Sequence, residues 1–485
     1  MAHQLTPEQQ AISLARKKKK EAAAALAQNN VPSYRKLLTN PAAEVLTREW
    51  LYGGDRKAGS TLVATWNILA QILVRRDLFL GSDCLRTSQR HPMILAEIVS
   101  HEADIFCLQE VDRQDKLLLT FHEAGFSESF GCGPGKKHGC MILHRTSRYK
   151  GIAERVVFYD EEHAQQETLA QEGVNRSGLT HRTRNIGLLV ALQDQVDPAV
   201  APVIVATTHL FWHGLYKYER ARQVGILRRE ALRFREQYGT PRSSIIMAGD
   251  FNFQPDEAAY ALLRGTSLTP EQYGQLDSSR VIHVSLDPTV PRTPRTGIDA
   301  DDDDEAAGAG AAVRTDLKKG DGEEEPVVPT KIKDSRPAEA KDGLLSNEEM
   351  VKLFEAGGET RSAYDEILSR CAESTGEADN VLAVRDPAMQ GRKGGYEPMW
   401  SCFTHYWRST LGEYIPSCST LVVRLEELSI DYIFIVDPPE GSGLEVVDVL
   451  KSPRTEALGN GLPRLGVSAS DHVPLAAIVA PQQGS

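Results

Sequence analysis

What most constrains this chain is a recurring figure: a short apolar, β-prone run that breaks off into a polar cluster instead of a Gly-Pro turn. It occurs in ATWNILAQ at Asn67, IFCLQEVD at Glu110 and VATTHLFWHG at His209. It recurs in IIMAGDFNFQP at Asp250 and Asn252, SIDYIFI at Asp431, and SASDHVPL at Asp471 and His472. Apolar runs this short fit strands buried in a core, and polar residues at the ends of such strands sit on the rim of a rigid scaffold. Strands are expected at Leu62 to Trp66, Asp104 to Leu108, Gly139 to His144, Ile186 to Leu192 and Pro202 to Thr207. Others are expected at Ser244 to Ala248, Thr420 to Leu425, Ile430 to Val436 and Leu475 to Val479. Helices intervene: Pro92 opens one, with Ile94, Leu95, Ile98 and Val99 on one face, and Tyr218 to Tyr238 forms another. The arginines of the second helix (220, 222, 228, 229, 233 and 235) read as its solvated face. Strands alternating with helices in this way predict a mixed α/β body with two packed sheets.

Two stretches stand outside that body. Residues 1–58 read as a leader with a basic helix, begun by the capping signals of Thr6, Pro7 and Gln9 and carrying Arg16 and Lys17 to Lys20. The helix reads as a solvated surface, with a nuclear address or a contact with RNA phosphates as the functional alternatives. Residues 59–480 form a single domain interrupted at 291–343 by an acidic insertion. Between Asp299 and Glu325 eleven acids face only Arg314, Lys318 and Lys319, so most of the net charge of −12 lies there. Acids at that density predict a disordered tract, open to a basic protein partner.

The remaining features set the compartment. No apolar run reaches the length of a membrane span, and MAHQLTPEQQ lacks the apolar region of a secretory signal. Seven cysteines, an odd number with no CxxC spacing, fit a reducing compartment, in the cytoplasm, the nucleus or both.

Taken singly, each polar strand end has a plain explanation: Asn67 as a turn cap, Glu110 as an ion-pair partner, His209 as a satisfied core histidine. Together, the ordered blocks TWNILAQ, LQEVD, GCMILHR, THLFWH, GDFN, DYIF and SDHVPL resemble the endonuclease/exonuclease/phosphatase superfamily, its deadenylase-like branch in particular. The leader LTPEQQ with its lysine run is similar to that of fungal RNA exonucleases in this branch. The resemblance implies a four-layer α/β sandwich, two packed mixed β-sheets flanked by helices. It implies a metal site at Glu110, Asn67 and Asp471, with Glu110 the principal carboxylate. It also implies a catalytic His472 oriented by Asp431, Asp250 and Asn252 beside the attacked phosphate, and His209 on the phosphate or the leaving group. Hard oxygen donors suit Mg²⁺, with Mn²⁺ as a substitute, and no Cys/His cluster has zinc spacing.

The expected activity is Mg²⁺-dependent hydrolysis from a single-stranded RNA 3′ end, releasing 5′-nucleotides, in rRNA 3′-end processing or mRNA deadenylation. Alternatives are a small-molecule phosphatase of the same superfamily, acting on an inositol phosphate or a dinucleotide phosphate, and a non-catalytic RNA-binding assembly subunit. Two departures from the branch loosen base preference: Gly214 stands where deadenylases resembling this chain carry a proline, and Glu426 and Glu427 replace a segment bearing a stacking ring. Such a ring contributes roughly 1–3 kcal/mol per base. Phe403 and Tyr406 are the candidate replacement platform, with ordinary core packing as the alternative.

Overall fold

The computed structural model describes residues 33–76, 78–79, 81–164, 176–293, 331–375, 392–398, 401–404 and 426–482. In chain order its strands are β1 (Thr61–Asn67), β2 (Ile105–Val111), β3 (Phe126–Cys132), β4 (Gly139–Arg145), β5 (Tyr149–Phe158), β6 (Ile186–Asp194), β7 (Val203–Thr208) and β8 (Ile245–Asp250). There follow β9 (Val281–His283), β10 (Ser335–Pro337), β11 (Thr360–Ser362), β12 (Cys402–Thr404), β13 (Glu426–Leu428), β14 (Asp431–Val436), β15 (Leu444–Val449) and β16 (Leu475–Pro481). Two six-stranded sheets result, ordered β15-β16-β1-β2-β4-β3 and β11-β14-β8-β7-β6-β5. Each is mixed, because β1–β2 and β7–β8 pair in parallel and the other neighbours pair antiparallel.

The period-2 alternation of side chains builds three apolar layers from these strands. Val63, Ile105, Ile142 and Leu475 of the first sheet meet Leu188, Val205, Ile246 and Ile433 of the second. The alternate residues Leu62, Trp66, Phe106 and Leu108 face outward onto helix α1 (Thr87–Ser100) and helix α2 (Gln114–Glu123). On the far side, Ile245, Met247, Tyr432 and Phe434 pack against α3 (Lys217–Tyr238). The order helix, sheet, sheet, helix is the expected four-layer sandwich.

Four details differ from the sequence reading. Helix α1 begins at Thr87, so Pro92 lies inside it. Arg220, Arg222, Arg228 and Arg235 of α3 are buried instead of solvated, because each finds partners from remote segments. Arg222 donates to Glu219, Tyr159 O and Ser177 O, Arg220 to Glu257, and Arg228 to the carbonyls of Phe354, Ala356 and Gly358 beside helix α4 (Asn347–Glu355). Residues 331–343, assigned from sequence to the acidic insertion, are folded: β10 pairs with β9, Ile332 is buried, and Arg336 bonds Asp287 and Asp342. Within the expected leader, Tyr34, Leu37, Val45 and Trp50 pack on the core, and the Tyr52 and Gly54 amides bond buried Asp448. The body thus reaches further into both stretches than composition indicated. The basic helix of the leader, the acid run and the strand at 420–425 lie outside the described residues. Among the described residues, no helix is long and apolar enough to cross a membrane.

Candidate active site

The polar strand ends converge where the two sheets meet. Asn67 ends β1, Glu110 lies near the end of β2, and Asp471 and His472 directly precede β16, all in the first sheet. His209 follows β7, Asp250 ends β8 and Asp431 starts β14 in the second. Asp431 is the register partner of Asp250, and His209 bridges to Asp250, so the backbone ladder fixes these three side by side.

Glu110 owes its aim to a β-bulge. The β2–β4 register shifts between Leu108 and Val111, and Glu110 adopts a left-handed φ of 58°. Bulges beside sites redirect side chains in this way, and the conformation holds only where the surroundings over-determine it. Those surroundings are Asn67 Nδ2, 2.7 Å from Glu110 Oε1, and the Ala70 amide, 2.8 Å from Oε2. The same Asn67 Nδ2 donates to Asp250 Oδ2 at 3.0 Å, so one amide ties the two carboxylates, and thereby the two sheets, together. Asn252 is also left-handed, with φ 52°; its amide N–H bonds Asp250 Oδ1, and its side-chain Nδ2 donates to Leu210 O. Expected beside the phosphate, Asn252 here braces the segment that carries His209.

His472 Nδ1 lies 2.8 Å from Asp431 Oδ2, and its Nε2 faces Asp250 Oδ2 at 3.7 Å. His209 stands between the two carboxylates, Nδ1 3.9 Å from Glu110 and Nε2 3.6 Å from Asp250. Burial alone would lower the proton affinity of His472, but the Asp431 charge and hydrogen bond, with Cys402, hold it well above the ordinary imidazole value. Burial, then the neighbouring Asp431 charge, raises Asp250 well above the usual carboxylate range. Cys402 is an inert thiol, pushed up to about 12 by burial.

This donor set fits a divalent cation. Asp250, Asp431 and His472 place ligand atoms within 4.8 Å of one another, as do Cys402, Asp471 and His472. Among the described residues, buried Asp431 Oδ1 accepts no hydrogen bond. Crowded buried carboxylates with an unsatisfied oxygen make a candidate site for a hard cation. Glu110 belongs to neither group and Asp471 lies with Cys402 and His472, so the expected Glu110–Asp471 pole is not among these donor groups, which share His472.

Several contributors were not among the expected site residues. Ser401 Oγ donates to Asp431 Oδ2 at 2.7 Å and accepts the Asp431 amide, fixing the carboxylate that orients His472. Ser470 Oγ donates to Asn67 O, and Trp66 Nε1 donates to His472 O, tying the SASDH segment to β1. Buried Arg90 spans the carbonyls of Ile68, Leu69 and Ala469 behind the site. Ser470 lies inside a motif already singled out; Ser401 and Arg90 are recruited from far along the chain. Phe403 is fully buried against Leu458, Leu462 and Val473, which makes it a core aromatic and not a stacking platform. Tyr406 lies outside the described residues.

Two mixed sheets that pool carboxylates and a histidine–aspartate pair at their shared edge define a phosphoester-hydrolase class of site. The chain belongs to the Endonuclease/Exonuclease/phosphatase family, whose sequence profile matches residues 64–472. It is 31% identical over 215 residues to a probable RNA exonuclease of Schizosaccharomyces pombe, covering 43% of this chain and 39% of that protein. It is 28% identical over 218 residues to the RNA exonuclease NGL2 of Saccharomyces cerevisiae, covering 40% of each. The matches therefore span about two fifths of the length of these curated relatives. The crystal structure of ANGEL2, a 2′,3′-cyclic phosphatase, in complex with adenosine-2′,3′-vanadate superposes with a TM-score of 0.51 at 18% identity. That superposition covers 90% of this chain and 99% of the other.

Proposed function

We propose that this chain is a Mg²⁺-dependent RNA 3′-exonuclease that releases 5′-nucleotides, acting in rRNA 3′-end processing or mRNA deadenylation. The observation that carries this reading is the buried His472–Asp431 pair, with Nε2 of His472 turned toward Asp250 and with His209 set between Asp250 and Glu110. Names of the fungal relatives, a probable RNA exonuclease and an RNA exonuclease, support RNA as the substrate class. Asp431 fixes the tautomer and orientation of His472, whose Nε2 takes a proton from the water that attacks phosphorus. The new P–O bond forms as the P–O3′ bond breaks. His209 lies where it can face a phosphate oxygen or the departing 3′ oxygen. A divalent cation held, as the family resemblance implies, by Glu110, Asn67 and Asp471 would supply charge neutralisation on the phosphodiester.

The test uses 5′-labelled RNAs of equal length that end in adenosines, in mixed bases, in a blocked 3′ end or in a 2′,3′-cyclic phosphate. A ladder shortening from the 3′ end on both open RNAs supports the proposal. Internal cleavage of the blocked RNA refutes it, and so does reaction confined to the cyclic end or to a phosphorylated metabolite.

A further inference from the structure

Buried Glu397 takes no part in the chemistry above, yet it anchors the stretch of chain that holds both members of the His472–Asp431 pair. Its Oε1 accepts from the hydroxyl of buried Tyr260 at 2.7 Å. The Ser362 hydroxyl of β11 donates to the same carboxylate, and the Tyr396 amide bonds Oδ1 of buried Asp365 at 3.1 Å. Gly394 holds a φ of 90°, and a Cβ there would stand 2.6 Å from the Tyr260 ring, so the chain lies directly on that ring. These contacts clamp 394–398 to the helix Ala258–Leu263 and to β11. Pro398 O accepts the Ser429 hydroxyl, and the Ser401 amide donates to Leu428 O at 2.8 Å, which fastens both residues to the approach to β14. Ser401 then reaches both members of the pair. Its Oγ donates to Asp431 Oδ2 at 2.7 Å, and its carbonyl accepts the Val473 amide at 2.9 Å. Cys402 bridges to His472, and the Phe403 amide donates to Asp471 O at 2.8 Å. The backbone on either side of His472 is therefore hung on 401–403, and Glu397 is the buried side chain that ties down the residues leading into it.

We propose that Glu397 is a positioning residue for the His472–Asp431 pair, acting through Ser401. The proposal rests on the hydrolase reading above and goes beyond it, since Glu397 touches none of the reacting groups. Asp431 Oδ2 accepts from both Ser401 Oγ and His472 Nδ1, while Oδ1 accepts no hydrogen bond among the described residues. The aim of this carboxylate therefore depends on where Ser401 is held. Outer partners of this kind typically contribute about 10–100-fold to the function of the group they orient. Burial and then the Asp365 charge raise the Glu397 carboxyl to about 7. Its neutral form is thus close at hand, and Glu397→Gln, which keeps an acceptor oxygen for Tyr260, stands in for it.

Kinetics and proton NMR on the full chain separate this role from a merely structural one. Glu397→Leu should lower kcat about tenfold and leave KM within about twofold, and Glu397→Gln should restore kcat. Ser401→Ala should lower kcat as well, and adding Glu397→Leu to it should cost nothing further. The low-field proton resonance of His472 Nδ1–H, identified by its loss in His472→Ala, reports the bond to Asp431 without any substrate. It should broaden or move upfield in Glu397→Leu and return in Glu397→Gln. If Glu397→Leu does not fold, Tyr260→Phe, which removes a single hydroxyl, carries the same comparisons. An unmoved resonance, a change in KM alone, or losses that multiply between Glu397→Leu and Ser401→Ala would overturn the proposal. If the wild type hydrolyses no RNA, the functional reading fails by itself, and the resonance decides the positioning role alone.

Discussion

The Glu219–Arg222 pair within α3 offers the sharpest energetic test, because both side chains are fully buried. Glu219 Oε1 accepts from Arg222 Nε and Nη2 and from Gln223 Nε2, while Oε2 accepts from the amide and hydroxyl of Thr180. Arg222 spends its remaining donors on Tyr159 O and Ser177 O. The network therefore fastens α3 to the segment that leads into β6. Glu219→Gln keeps the volume and removes the charge, leaving a guanidinium buried without its counter-ion. Arg222→Met leaves the carboxylate in the same position. Breaking a buried pair from either side costs about 3–5 kcal/mol, whereas replacing both partners costs far less than the sum. With an m-value of roughly 3 kcal/mol/M or more for a body of this size, each single variant should move the urea midpoint by about 1 M. Glu219→Gln/Arg222→Met should recover at least half of the combined loss. Single variants within 1 kcal/mol of wild type, or a double variant whose loss equals the sum, would show that the pair is not coupled.

The remaining expectations concern the site and its surroundings. His472→Ala and Glu110→Gln should each lower hydrolysis by at least about 10²-fold with an unchanged circular dichroism spectrum, and EDTA should abolish activity until Mg²⁺ or Mn²⁺ is restored. Since Asp431 raises the proton affinity of His472, the acidic limb of kcat/KM should lie above the ordinary imidazole value near 6.5. Asp431→Asn removes the largest raising influence, so that limb should move to lower pH while the rate falls; a limb that stays in place would exclude His472 as the titrating base. Replacing 294–330 by a short Gly-Ser linker should leave the melting temperature within about 2 °C, because less than ~1 kcal/mol is at stake. Thr293 N already sits 2.7 Å from Asp334 Oδ1, so the two ends of the excursion meet in the folded body. A larger loss on melting would show that the tract packs on the core.

What the sequence disclosed and what it hid divide along physical lines. The strands anticipated from apolar runs, such as β1, β8 and β14, are buried on both faces, and that burial is what a continuous run of Val, Ile and Leu records. The longer strands that escaped notice, β3, β5 and β15, are all edges of their sheets. Their half-exposed faces admit Ser, Glu, Lys and Arg, which blurs the pattern. Among the site residues, each strand-end position was legible because it interrupts an apolar run. The mutual arrangement was not, since it depends on a bulge at Glu110 and on Ser401, which reaches Asp431 from 30 residues away. The buried arginines of α3 misled for a similar reason: their partners lie in segments as distant as 354–360, and local polarity reads as exposure.

Because Asn67 and Glu110 belong to one sheet and Asp250 and Asp431 to the other, neither sheet alone holds a competent set of groups. β1 cannot complete its pairing until β16 arrives, and His472 directly precedes that last strand. During synthesis, then, a nascent chain presents Glu110, His209 and Asp250 long before His472 has been translated. Recovery of activity on refolding would report the docking of the C-terminal strand, and two fragments divided within the acidic excursion should regain hydrolysis only upon reassociation.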